Sequence, residues 1–267
     1  MPADLRRLAR ECLLTCDIAE KLHLAEALLA VATEHGLIDS DIRFDDDLIP
    51  GRPEKPALVS PKNLPRRALA GIEGRAALMH AIAHIEFNAI NLACDAIQRF
   101  AGMPDAFYRD WASVASDEAR HFILLSGRLA ELGFHYGDFD AHDGLWEMAE
   151  RTRHDCLQRM ALVPRLLEAR GLDVTPGMIE RLRQVGDGAS IAVLEVILEE
   201  EIRHVAIGSK WFGYCCEQAG KHPEREFIAL LQDVGRGALR GPFNRQARID
   251  SGFSEFELQQ ISRLGRN

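Results

Sequence analysis

Residues 115–125 read ASDEARHFILL and residues 198–208 read LEEEIRHVAIG. Each stretch sets a Glu three residues before a His inside an apolar run, with an Arg directly ahead of the His: Glu118 and His121 in the first, Glu201 and His204 in the second. Positions three apart on a helix face the same side, so each stretch aims one carboxylate and one imidazole at a common point. A single Glu-x-x-His also reads as a surface acid beside an Arg, because short motifs arise often by chance. Two copies in two apolar helices ask for a shared cause, and a metal ion uses both donor types.

Working outward, 75-RAALMHAIAHIEFNAINLACDAIQRF-100 is apolar around most of its circumference, the pattern of a helix buried on several sides. It breaks at 101-AGMPD-105, and a second long helix is expected from Asp105 to Leu132, with Gly133 as its C-terminal stop. A third is expected from Asp143 to Arg170, ending at Gly171, with a kink or bulge at Pro164. Thr175 and Pro176 read as the cap and first turn of another helix. A fourth long helix is expected from Ala189 to Gln218. Two helices precede this set within the first 35 residues, the second opened by Asp17 and Glu20, and smaller helices follow at Pro223 and at 254-SEFE-257. Between them, residues 36–66 carry Pro50, Pro53, Pro56, Pro61 and Pro65, so that stretch is expected as an extended arm laid on the surface. The expected plan is all-α: N-terminal helices and arm over 1–70, an antiparallel four-helix bundle over 71–220, and a helical extension over 221–267.

A symmetric metal site in such a bundle needs one more carboxylate from each of the other two long helices. The first offers Glu86, the only Glu between Arg75 and Phe100, and the third offers Glu168. Glu118 follows Glu86 by 32 residues and Glu201 follows Glu168 by 33, so the two halves match to one residue. The candidate ligands are therefore Glu86, Glu118, His121, Glu168, Glu201 and His204. Pro164 disturbs the register of Glu168, and Asp155 is the substitute one segment earlier. Four carboxylates balance two divalent cations in a dry core, where without a metal they would be costly to bury. His84 lies two residues from Glu86 and points off that face, so it reads as a supporting or core histidine, while His80 and His154 read as core or surface. Asp117, Asp155 and Glu200 are candidates to accept the free imidazole N–H of a ligand histidine.

Composition bounds the rest. Hydrophobic residues at 47% and charged residues at 27%, with few aromatics and much Ala and Leu, fit a globular helical protein. No run of about 18 uncharged apolar residues occurs, which excludes a spanning helix, and the N-terminus lacks the marks of a secretory signal. The six cysteines fall in helical-looking segments and are expected as reduced thiols in a cytoplasmic protein, with Cys215 and Cys216 structural. A net charge of −9 weighs against nonspecific attraction to nucleic acid. The local exception, Arg236, Arg240, Arg245 and Arg248, reads first as a set of ion-pair partners and second as a phosphate contact.

On these residues the chain resembles the ferritin-like superfamily of carboxylate-bridged di-metal proteins. Within it the chain is similar to the bacterial family called domain of unknown function 455, through 51-GRPEKPALVSPKNLPRR-67, 83-AHIEFNAI-90, 116-SDEARHF-122, 168-EARGLDVTP-176, 201-EIRHVAIG-208 and 241-GPFNRQAR-248. More distantly it resembles the di-iron hydroxylases of a modified adenosine in tRNA, through 116-SDEARH-121 and 168-EAR-170. The arm and the RGPFN tail are not features of those hydroxylases, so their substrate does not carry over.

The resemblance implies an enzyme that holds two Fe ions (Mn or a mixed Mn/Fe pair also suits the ligands) and activates dioxygen to oxidise a small-molecule substrate. No flavin or nicotinamide fingerprint is visible, so an external electron donor is expected. Iron handling or peroxide scavenging is the alternative from a different class, and a non-enzymatic metal-binding scaffold is the third. tRNA is admitted by the C-terminal arginines but disfavoured by the acidity and the lack of an RNA-binding motif. No membrane association is expected, and a homodimer suits a bundle with appendages.

Overall fold

The computed structural model describes residues 4–34, 38, 41, 42, 44, 49–65, 67–234, 239 and 241–265. Among them there is no β-strand, only an isolated bridge between Leu58 and Ala141, and the chain is all-α as its composition predicts. It divides into two compact units, Met1–Glu147 and Met148–Asn267.

The first unit is built on a hairpin of two long helices, α3 (Ile72–Arg99) and α4 (Asp105–Glu131). Two shorter helices, α1 (Leu5–Leu14) and α2 (Ile18–Thr33), pack on α3 and α4 respectively. Asp4 caps α1 and Asp17 caps α2, each accepting from the backbone N–H three residues on. Gly133 takes φ 82°, the left-handed turn that stops α4 as its position foretold. From Glu86 to Gln98 every residue of α3 is buried; Arg99 of the same helix pairs with Asp95, and other polar groups are answered by cations from outside the hairpin. Arg52 reaches Asn88, Lys21 reaches Asn91, and Arg6 reaches the Gln98 carbonyl.

Lys21 is fully buried and donates to Cys12 O, Leu13 O and Asn91 Oδ1 at 2.7, 3.1 and 2.6 Å. It thereby holds the last carbonyls of α1 against α3. Lys21→Met keeps the stem but strands these acceptors, so unfolding should show a loss of about 2–3 kcal/mol. Burial lowers the Lys21 pKa from its ordinary value of 10.5. The unfolded chain then binds more protons below 10.5, and the contribution of Lys21 to stability grows as pH rises toward that value and falls away beneath it. Denaturant titrations across that range should show the rise in the natural protein and not in Lys21→Met.

The described part of the arm lies on this unit, as expected. Gly51 N–H donates to Leu13 O at 2.8 Å, and a Cβ at Gly51 would stand 2.2 Å from Leu14 O, so only glycine allows this approach. Arg52 grips Asp143 with two bonds of 2.5 and 2.8 Å. Farther on, Val59 N–H donates to Ala141 O at 2.8 Å.

The second unit is organised around α8 (Gly188–Gln218), capped by Asp187. Against it pack α6 (Cys156–Leu162), a π-helical segment Val163–Glu168, and α7 (Ala169–Gln184). The unit is completed by α9 (Pro223–Val234), α10 (Arg245–Asp250) and α11 (Glu255–Leu264), the last closed by the expected capping box of Ser254 and Glu257. The π segment is the bulge expected at Pro164, where a residue without an N–H interrupts the regular ladder.

Three expectations for this region are corrected. The helix expected over 143–170 is broken: α5 (Gly144–Arg151) ends where Thr152 Oγ bonds back to Met148 O, and Asp155 starts α6 by capping Leu157 N and Gln158 N. No helix stops at Gly171, because an interior glycine costs only about 1 kcal/mol, and α7 runs through it. Nor does one start at Thr175–Pro176, since Pro176 lies inside α7. Pro176 cannot bond the Leu172 carbonyl, and Asn244 Nδ2 does so instead at 3.2 Å. The same Asn244 caps α10, a helix the sequence reading did not expect.

Candidate metal centre

In the first unit, α3 carries Glu86 and α4 carries Glu118 and His121, with 4%, 1% and 0% of their surfaces exposed. His121 Nδ1 lies 3.4 Å from Glu86 Oε2 and 3.4 Å from Glu118 Oε2. The single Glu of α3 and the Glu-x-x-His of α4 are thus brought together around one imidazole nitrogen. Two donors each about 2.1 Å from one ion, at tetrahedral to octahedral angles, stand about 3.0–3.4 Å apart. The donor set fits a divalent metal in both spacing and chemistry. Burial works to lower the His121 pKa, but the carboxylates of Glu118 and then Glu86 more than offset it and push it up to about 11. Buried carboxylates so placed favour positive charge beside them.

In the second unit the motif recurs. His204 is fully buried, and its Nδ1 lies 3.2 Å from Glu201 Oε1. Glu168 ends the π segment, half-buried, where α7 begins. Each pair, Glu118 with His121 and Glu201 with His204, offers the carboxylate and imidazole donors of a possible metal site.

Asp155, the substitute ligand, and Asp117, another proposed acceptor, have other partners. Asp155 spends its carboxylate on capping α6, and Asp117 pairs with Arg120 at 3.2 Å. His84 and His80 are core histidines of the first unit. His84 bonds Tyr136 Oη and the Asn88 amide, and His80 Nε2 accepts from Gly137 N–H. Burial lowers both pKa values to about 4. His154 is exposed beside Arg153.

Of the cysteines, Cys16 falls between α1 and α2 rather than in a helix, and all six are free thiols. Cys216 is buried and Cys215 half-buried. Among the C-terminal arginines, Arg245 pairs with Glu255, and Arg248 is buried and donates to both Asp173 oxygens, at 2.9 and 2.7 Å. Those two serve as ion-pair partners, and Arg236 and Arg240 lie outside the described residues. No described helix is long and apolar enough to cross a membrane.

A family model described as a protein of unknown function, DUF455, matches residues 14–259. The chain belongs to the DUF455 family. It is similar to an uncharacterized protein of Haemophilus influenzae, with 48% identity over 222 residues that cover 80% of this chain and 77% of the relative. No solved structure matches it. DUF455 membership spans the arm from Gly51, the carboxylate–histidine motifs and the Asn244 cap, and it assigns no activity.

Proposed function

We propose that this DUF455 protein is a dinuclear metal oxidoreductase on a ferritin-like bundle, residues 71–220, that activates dioxygen to oxidise or hydroxylate a small organic substrate. Glu86, Glu118 and His121 would hold one side of the centre, and Glu168, Glu201 and His204 the other. The observation that carries the reading is His121, set 3.4 Å from each of two buried carboxylates contributed by two helices, together with the recurrence of its motif at Glu201 and His204.

Bound iron, or manganese in the same ligands, would supply Lewis acidity and electrons for reducing dioxygen. The chain's own part is to hold the donors. The apolar wall of α3 and α4 around Glu86 excludes water, and their carboxylates balance the charge of the ions. Electrons would come from an external donor, the protein would work in the cytoplasm, and a homodimer is its proposed assembly. The additions at 1–70 and 221–267 favour an enzyme over an iron store, which has no use for them.

The test is metal content, by elemental analysis of protein purified without chelator, beside a Glu118→Ala, His204→Ala double variant. About two equivalents of iron or manganese per chain, absent from the variant, are expected for the paired motifs. Oxygen uptake by the reduced, iron-loaded protein should then exceed that of the variant. A protein that stays metal-free after anaerobic ferrous reconstitution sinks the reading.

A further inference from the structure

Beside the arm, the first unit contains a cavity of about 250 Å³ lined by Arg52, Pro53, Pro56, Leu58, Phe87 and Tyr136, with His84 at its side and Glu54 exposed at the rim. A chain of hydrogen bonds around it fixes where each proton sits. Asn88 Nδ2 donates to the His84 carbonyl at 2.9 Å, and Arg52 Nη2 stands 3.3 Å from Asn88 Oδ1, so the amide has one orientation. The same Nδ2 lies 3.0 Å from His84 Nε2, which must accept. His84 therefore carries its proton on Nδ1 and donates to Tyr136 Oη at 2.8 Å.

Tyr136 Oη has then spent its accepting role, and its own O–H is left for the cavity. Leftover buried donors are costly, and they call for an acceptor. Charge decides which kind. Asp143 already neutralises Arg52 through two bonds, and Glu54 adds a negative charge at the rim. The surplus is a donor and not positive charge.

We infer that this cavity binds a small neutral molecule with a carbonyl oxygen on an apolar body, the oxygen accepting from Tyr136 Oη–H. The body rests on Pro53, Pro56, Leu58 and Phe87. Its aromatic wall adjoins the candidate metal ligands along the chain. Tyr136 packs on Phe87 and Phe122 at 5.7 and 4.9 Å between ring centres, and these residues follow Glu86 and His121. The inference does not depend on a bound metal, and its test works on protein in any metal state.

The test is fluorine NMR titration of the full chain with three probes: 4-fluoroacetophenone, 4-fluorobenzoate and 4-fluorotoluene. The ketone should bind saturably, and the toluene, which has no acceptor, about tenfold more weakly. Benzoate should also be weaker than the ketone. Tyr136→Phe keeps the ring that stacks on His80 and Phe122 and should reduce ketone binding to the level of the toluene. No saturable ketone binding overturns the inference, as does equal binding by natural protein and Tyr136→Phe. Benzoate binding tighter than the ketone overturns the neutral class.

Discussion

Glu257→Gln should destabilise the second unit by about 3–5 kcal/mol, the cost of leaving a buried cation without its partner. Arg165 is 2% exposed and donates Nη2 to both Glu257 oxygens at 3.0 and 2.9 Å. The rings of Phe227, Phe253 and Phe212 surround its guanidinium at 4.2, 4.5 and 4.9 Å, so water has little access to replace the lost carboxylate. Gln is the informative replacement because it still completes the capping box with Ser254, in which Glu257 Oε2 accepts from Ser254 N. The charge is removed and the helix start is kept. Thermal unfolding should move down by about 10 °C for a chain of this size. Removing both charges, in Arg165→Met with Glu257→Gln, should recover most of that loss, since a neutral pair fills the same space without a stranded ion. A single variant as stable as the natural protein would mean that water reaches Arg165 after all.

Arg165 did not stand out in the sequence and Glu257 stood out only as a capping residue, and the reason marks what a sequence can tell. Glu86, Glu118 and His121 were legible because helical periodicity is local: three-residue spacing puts Glu118 and His121 on one face wherever the helix lies, and a lone Glu in an apolar run has few explanations. The long helices α3, α4 and α8 were legible for the same reason, and so was the bulge at Pro164, whose cause is a missing N–H. What escaped was decided by partners far along the chain. Pro176 reads as a helix start until Asn244, from a distant loop, takes up the Leu172 carbonyl. Lys21, Arg52 and Tyr136 are ordinary residues in the sequence, and their roles come from Asn91, Asn88 and His84 on α3. Asp155 was weighed as a ligand when its local signal was a cap, since an Asp directly before a helical run takes up the backbone N–H groups two and three residues on.

Gly208→Ala should disturb the second half of the candidate centre without touching a ligand. Gly208 lies one turn beyond His204 on α8, and Pro164 lies one turn before Glu168 in the π segment. A Cβ on residue 208 would stand 2.4 Å from Pro164 Cβ and 2.5 Å from its Cγ. Carbon atoms rest at about 3.5–4.0 Å, and a proline ring cannot swing aside, so the π segment itself must retreat from α8 by about 1 Å. Overpacking of this kind costs about 1–3 kcal/mol. Glu168 travels with the segment while Glu201 and His204 stay on α8, so a centre that uses all three should bind metal at least about tenfold more weakly. Gly213→Ala is the matched control on the same helix, where nothing lies within 4 Å of the added methyl. There the change should stabilise by up to about 1 kcal/mol, through helix propensity and a less flexible unfolded chain. Stability and metal content measured on both variants separate the two effects. If Gly208→Ala loses stability yet keeps full metal content, Glu168 is not a ligand and the second half rests on Glu201 and His204 alone. If it matches Gly213→Ala in both, the close approach of Pro164 to α8 does not hold Glu168 in place.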